Sequence, residues 1–210
     1  LCLLWIIVLA SRGTPAGATV DVPTPGEPGI STGDLHCHAS AVAYRHGEGE
    51  ARAEFFIRVA YREIRFIPIE DRFEARVRVT AELTEKNGKR VSYQQREARV
   101  AATDQAATAD SLLGEIYTLG LVAPRGRYHF KVTVEDLNQA RRGLVYQFKD
   151  KKKQGEVQGE IDMSEWLFKN PALSGIEFAW STGDATPDTP FAKGPYEVLP
   201  HPSGYYGHFQ

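Results

Sequence analysis

The sequence predicts an all-β chain built as an antiparallel β-sandwich with a short irregular C-terminal extension, and three observations predict it. Between Arg72 and Leu83, the apolar residues Phe73, Ala75, Val77, Val79, Ala81 and Leu83 alternate with Arg72, Glu74, Arg76, Arg78, Thr80 and Glu82. That fits a period of two and no helix, with one dry face and one wet face. The segment Glu85-Lys86-Asn87-Gly88-Lys89 follows, and Asn-Gly is a hairpin signal because it readily accepts positive φ. After Pro124-Arg125-Gly126-Arg127, the residues Tyr128, Phe130, Val132 and Val134 alternate with His129, Lys131, Thr133 and Glu135. No strand pattern is followed by a long helical one, which disfavours a parallel α/β fold.

In chain order, residues 1–18 read as a truncated signal peptide. The apolar run Leu1 to Ala10 is too short for a bilayer span, which takes roughly 20 apolar residues, and Ala16-Gly17-Ala18 offers a small-residue cleavage site. A positive leading segment is missing, so the sequence is expected to be part of a longer one. Residues 19–34 read as a linker rich in Pro and Gly. The sandwich is expected over residues 35–150, and residues 151–210 as a C-terminal extension or the start of a next domain.

Within the sandwich, strands are expected at Leu35–Tyr44 and Ala51–Tyr61, joined by the turn Arg45 to Glu50. On the second of these, Phe55, Ile57 and Val59 share one face and Phe56 lies on the other. Ile64, Phe66, Ile67 and Ile69 surround Pro68, which cannot donate to a ladder and suits an edge or a bend. Arg90–Ala102 is the return strand of the hairpin. An Ala-, Thr- and Asp-rich connection over 103–114, with room for one helical turn, leads to a strand at Ile116–Val122. Leu144–Phe148 is a further expected strand, stopped by Asp150 to Lys153. Beyond it come Val157–Met163, a short helix from Ser164 to Phe168, and a strand through Ile176, Phe178 and Trp180. The number and spacing of the strands in 35–149 point to an immunoglobulin/fibronectin-III-like sandwich.

Four segments, in this order, carry a family resemblance: Glu54 through Phe66; Ala123-Pro124-Arg125-Gly126-Arg127-Tyr128 through Val134-Glu135-Asp136; Leu173-Ser174-Gly175-Ile176-Glu177-Phe178-Ala179; and Phe191-Ala192-Lys193-Gly194-Pro195-Tyr196-Glu197-Val198-Leu199-Pro200-His201-Pro202. Together they resemble the N-terminal β-sandwich region of bacterial GWxTD domain-containing proteins. The Gly-Trp-x-Thr-Asp motif itself is absent from this chain. The resemblance implies an exported protein and brings no catalytic residues with it.

Few residues are candidates for chemistry. His36 and His38 stand at i and i+2, a spacing that on a strand places both on one face and Cys37 on the other. They are weak metal candidates, with His46 or a nearby carboxylate as a further ligand, because a tetrahedral zinc site needs more donors than two. Cys37 is a poor nucleophile candidate because its histidine neighbours face away from it. Arg72, Arg76 and Arg78 with Glu74 and Glu82 read as a solvated face with cross-strand ion pairs rather than an anion site. Lys149 and Asp150 to Lys153 read as a charged strand stop. Trp166, Trp180, Tyr196, Tyr205 and Tyr206 are aromatics that pack on a core or an adjoining domain, or else form a sugar platform. Tyr128, Gly126, Asn87 and Gly88 are structural candidates, Tyr128 as a tyrosine corner.

The formal net charge of −2 gives no basic excess for nucleic acid, and no cofactor motif stands out. The expected function is therefore that of an extracytoplasmic, non-catalytic module (periplasmic, cell-surface or secreted). It would serve as a scaffold or docking domain for a protein partner or a downstream domain, with no stable membrane span. The alternatives are a carbohydrate-binding module and an accessory domain of an enzyme whose catalytic part follows Gln210.

Overall fold

Alternating side chains leave opposite faces of a strand, and that alternation sets the layers of this molecule. The computed structural model describes residues 29, 31–138, 153–164, 179–186, 189 and 191–202. Its strands are β1 (Thr32–Gly33), β2 (Cys37–His46), β3 (Glu50–Ala60), β4 (Ile67–Ile69), β5 (Arg72–Thr84), β6 (Arg90–Ala102), β7 (Gly114–Pro124), β8 (Arg127–Asp136), β9 (Gln154–Asp162), β10 (Ala179–Asp184), β11 (Ala192–Lys193) and β12 (Tyr196–Pro200). A 3-10 turn covers Tyr61–Glu63, and a single-turn helix α1 covers Gln105–Ala109. The Asp104 side chain caps α1 by accepting the Ala107 N–H.

All strand pairs are antiparallel. One sheet has the order β2-β3-β7. The opposing sheet runs β1-β9-β8-β5, with β6 on the far side of β5 and the short β4 beside its start. Phe55, Ile57 and Val59 from β3 meet Val77, Val79, Val132 and Val134 in the core between them. This is an antiparallel β-sandwich.

The hairpin between β5 and β6 forms where Asn87-Gly88 predicts it. Its geometry is a type I turn closed by Gly88 N–H to Glu85 O at 2.8 Å, with Gly88 at φ 85°. Only Gly88 takes a positive φ; Asn87 instead contributes its side chain, accepting the Lys89 N–H at 2.8 Å. A turn of this kind adds one residue to the ladder, and the register shifts between Leu83 and Thr84 accordingly.

The two long edges of the sandwich are closed differently. At one edge the chain itself crosses over. Thr32 and Gly33 pair with Glu156 and Gly155, the Asp34 and Leu35 N–H groups both donate to Gln154 O, and the chain then enters β2. Ser31 fixes this crossing, donating to Leu35 O and accepting the Cys37 N–H. The backbones approach so closely that a Cβ on Gly155 would lie 2.1 Å from Leu35 O. At the other edge β6 and β7 face each other, and Gln94 Oε1 accepts the Gly120 N–H at 2.8 Å. Gln94 and Arg96 stand in register with Ala81 and Val79, so this end of β6 turns polar side chains to the side where β5 is apolar.

A third layer follows. Strands β10, β12 and β11 form a small sheet that meets the outer face of β2-β3-β7 through Lys193. Phe56 points outward from β3, opposite to Phe55, yet it is only 2% exposed. Lys193 reaches over it, with Nζ 5.2 Å from the Phe56 ring centroid and hydrogen bonds to the Tyr44 hydroxyl at 2.9 Å and Glu54 Oε2 at 3.2 Å.

Two boundaries differ from the sequence expectation. The sandwich does not stop at residue 150, because β9 pairs along β8 from Arg127↔Asp162 to Glu135↔Gln154. The expected linker over 19–34 also ends inside the sheet, as β1. Both errors have one cause: charged and Pro/Gly-rich segments look like boundaries locally, while their pairing partners lie far away in sequence. The expected strand Leu144–Phe148, the expected helix from Ser164 to Phe168 beyond its first residue, and the expected signal peptide over residues 1–18 lie outside the described residues.

Tyr128 enters β8 with its hydroxyl donating to Pro124 O at 2.7 Å. The absence of a side chain at Gly126 makes room for it, since a Cβ there would sit 3.3 Å from the Tyr128 hydroxyl oxygen. Tyr128→Phe removes one partly buried hydrogen bond and leaves the ring in place. The expected loss is about 1–2 kcal/mol in urea unfolding, with an unchanged m-value.

Candidate functional surface

The wet face of β5 is a ladder of ion pairs. Arg78 contacts Glu97 on β6 at 2.6 Å and Glu135 on β8 at 2.8 Å, and Arg76 also reaches Glu97. Arg72 and Arg99 face Glu74, and Lys131 and Arg90 face Glu82. Hydrogen bonding to Arg78 holds the Glu97 carboxyl below its ordinary range. Each of these basic side chains faces a carboxylate within 4 Å, six cations sharing four carboxylates.

Cys37 lies in the core at the start of β2. Burial pushes its thiol up to about 11, Glu63 adds to this, and the Ser31 hydrogen bond opposes it. The side chain is therefore a thiol at neutral pH, the weakly nucleophilic form. His36 is exposed and stands before β2 rather than on it; its N–H donates to Glu63 Oε2. The expected strand face shared by His36 and His38 does not form, because residues 34–36 are taken up by the crossing from β1 to β2. His46 sits at the far end of β2 from His38. Among the described residues no three His, Cys, Asp or Glu side chains are grouped to hold a metal.

His38 instead meets residues that the sequence did not connect to it. It pairs across the sheet with Arg58 on β3, and His201 approaches from the C-terminal sheet. His201 is 3% exposed and its ring stacks on Trp180 at 3.8 Å between centroids. Burial lowers the His38 imidazole below its ordinary value, and Arg58 and His201 lower it further. Burial also lowers His201, opposed by a hydrogen bond to its own backbone and reinforced by Arg58. His38 Nδ1 is buried and has no hydrogen-bond partner among the described residues. The only local sign of this cluster is that His38, Phe56 and Arg58 all face away from the core.

Next to it lies an exposed apolar pair on a pinned loop. Arg58 donates to Ser111 O and Leu112 O at 3.4 and 2.8 Å. Asp110 accepts the Leu112 and Leu113 N–H groups at 2.6 and 3.4 Å. The backbone is thus tied from both sides, while the Leu112 and Leu113 side chains are 84% and 43% exposed. Trp180 and Tyr196 on the C-terminal sheet are 49% and 42% exposed. Trp166, Tyr205 and Tyr206 lie outside the described residues. No helix among the described residues is long and apolar enough to cross a membrane. No family model, no curated protein and no solved structure matches this chain.

Proposed function

We propose that the chain is a non-catalytic, extracytoplasmic β-sandwich module that docks a protein partner or a downstream domain of its own polypeptide. The observation that carries this reading is the loop over residues 110–113, where Arg58 and Asp110 hold the backbone fixed and turn Leu112 and Leu113 into solvent. A preorganised apolar pair on a rigid scaffold suits an interface anchor, since its ordering has already taken place before binding. The four segments that resemble the N-terminal region of GWxTD domain-containing proteins agree with this role. The strand order, three strands opposite β9-β8-β5-β6, together with the Tyr128 hydroxyl bond to Pro124 O, supports an immunoglobulin/fibronectin-III-like connectivity.

The test replaces both leucines. A Leu112→Ser, Leu113→Ser double variant is expected to keep its urea midpoint within about 0.5 kcal/mol of the parent. It should also lose the partner that the parent retains from a cell-envelope extract, as read by photo-crosslinking from a photoreactive residue placed at position 111 in both. Equal crosslinking of parent and variant to the same partner would count against the docking reading.

A second reading, a carbohydrate-binding module, draws on the exposed Trp180 and Tyr196. It calls for retardation of the chain in polysaccharide-loaded gels and its loss on Trp180→Ala.

A further inference from the structure

We propose that the outer face of the large sheet, where β6, β5, β8 and β9 lie side by side, holds a binding site for a neutral saccharide around Tyr93, Glu82, Lys131 and Gln158. The proposal stands apart from the docking role of the Leu112–Leu113 loop. It also places sugar binding elsewhere than on Trp180 and Tyr196.

Strand register builds the site. Tyr93, Glu82, Lys131 and Gln158 fall in one row across the four strands, and Arg90, Thr84, His129 and Glu160 fall in the next. With neighbouring strands about 4.8 Å apart, each row is about 14 Å wide. A cavity of about 500 Å³ opens over the two rows, lined by Glu82, Thr84, Arg90, His129, Lys131 and Gln158. That size falls in the range of small-ligand sites, roughly 300–1,000 Å³. The register shift between Leu83 and Thr84 lies at its edge. Such irregularities re-aim side chains, and here the Arg90 guanidinium lies over the Tyr93 ring, 4.9 Å from its centroid.

The lining selects the class of ligand. Small-ligand pockets are mostly apolar, whereas this one is walled by groups that donate and accept hydrogen bonds. Glu82 stands between two cations, with Lys131 Nζ at 3.0 Å and Arg90 Nη1 at 3.9 Å. His129 Nδ1 meets Glu160 at 3.4 Å, and the Gln158 amide donates to Glu156. An anion entering here would sit against Glu82, Glu156 and Glu160, which disfavours phosphate, sulfate and uronate. A hydroxyl can donate to a carboxylate and accept from an ammonium or an amide at once. A ligand rich in hydroxyls therefore enters the Lys131–Glu82 row without leaving either charge unpaired. These side chains already hold one another in place, so little ordering remains to be done on binding.

Tyr93 narrows the class from polyols to sugars. Its side chain is 46% exposed, and its hydroxyl is fixed on Gln95 Oε1 at 2.7 Å. A held aromatic ring beside a polar cavity suits a pyranose, which carries a flat C–H face as well as hydroxyls. An open-chain polyol has the hydroxyls without the face.

The test is electrophoresis of the full chain through native gels cast with hydroxyethylcellulose, xylan or galactomannan, with polygalacturonate as the anionic polymer. Mobility is read relative to a gel without polymer. At least one neutral polymer is expected to retard the parent, and Tyr93→Ala should weaken the apparent affinity by about tenfold. Gln158→Ala should weaken it as well, which keeps the test decisive if Tyr93→Ala folds poorly. Trp180→Ala lies outside the cavity and should leave the retardation unchanged. Absence of retardation by all three neutral polymers overturns the proposal, and so does stronger retardation by polygalacturonate, which would mark an anion site. Retardation that survives both cavity variants, or that Trp180→Ala abolishes, overturns it in favour of the C-terminal aromatics.

Discussion

Asp136→Ala is expected to destabilise the sandwich by about 3 kcal/mol, read as a lowered midpoint in urea with an unchanged slope. Asp136 ends β8 inside the molecule, among the few buried charged residues. One carboxylate oxygen accepts the Arg65 N–H at 2.8 Å, and the other accepts the Asn138 N–H at 2.9 Å. Asn138 then bridges onward, donating from Nδ2 to Glu74 O at 2.9 Å and to Arg65 O at 3.2 Å. The carboxylate thus ties the segment before β4 to the end of β8 and to the start of β5. Alanine would leave two backbone donors unsatisfied and would loosen the Asn138 bridge as well. Asp136→Asn keeps one acceptor oxygen, so its loss should be clearly smaller than that of alanine.

Phe55→Ala should be larger still, about 3–5 kcal/mol in the same measurement. Phe55 is fully buried at the middle of β3, and its ring lies 5.4 Å from that of Phe130 at 60°. Removing it takes away an inter-sheet contact and leaves a cavity lined by residues of both sheets. The neighbour Phe56 offers a control in the same strand. Phe56 faces the C-terminal sheet, so its truncation should release that sheet before it weakens the sandwich. Exchange protection in β12 would report the first effect and protection in β5 the second.

Much of the sandwich was legible because its signals are local. Alternation in Arg72–Leu83 and Tyr128–Val134, and the Asn87-Gly88 turn, each lie within about a dozen residues. The ends of β6 at Arg90 and Ala102 agree with the sequence reading. The single turn of α1 falls in the expected connection, capped by Asp104.

What was not legible depends on partners. Nothing in Gln154–Asp162 says that it belongs beside β8 rather than in a later domain, and the lysine run before it reads as a stop. The third layer left one trace in the sequence: Phe56 stands among Glu54 and Arg58 on an outward register, as does Val42 on β2. A large apolar residue on a wet face is a signal that something covers it. What covers it could not be named from the sequence, because β12 lies more than a hundred residues away. For the same reason His201 and Trp180 were not joined to His38. The histidine pair suggested by sequence was His36 with His38, whereas the structure brings His38 to His201.

The polar side chains on the inward register of β6 bear on how this molecule behaves in a crowd. A thirteen-residue strand that pairs on one edge alone among the described residues is long enough to recruit a strand from another chain and begin a fibre. Gln94 and Arg96 interrupt the apolar row that such pairing would need, and Gln94 already engages Gly120 on the neighbouring edge. The same two side chains set polar groups along the edge that a second copy would have to cover in strand pairing.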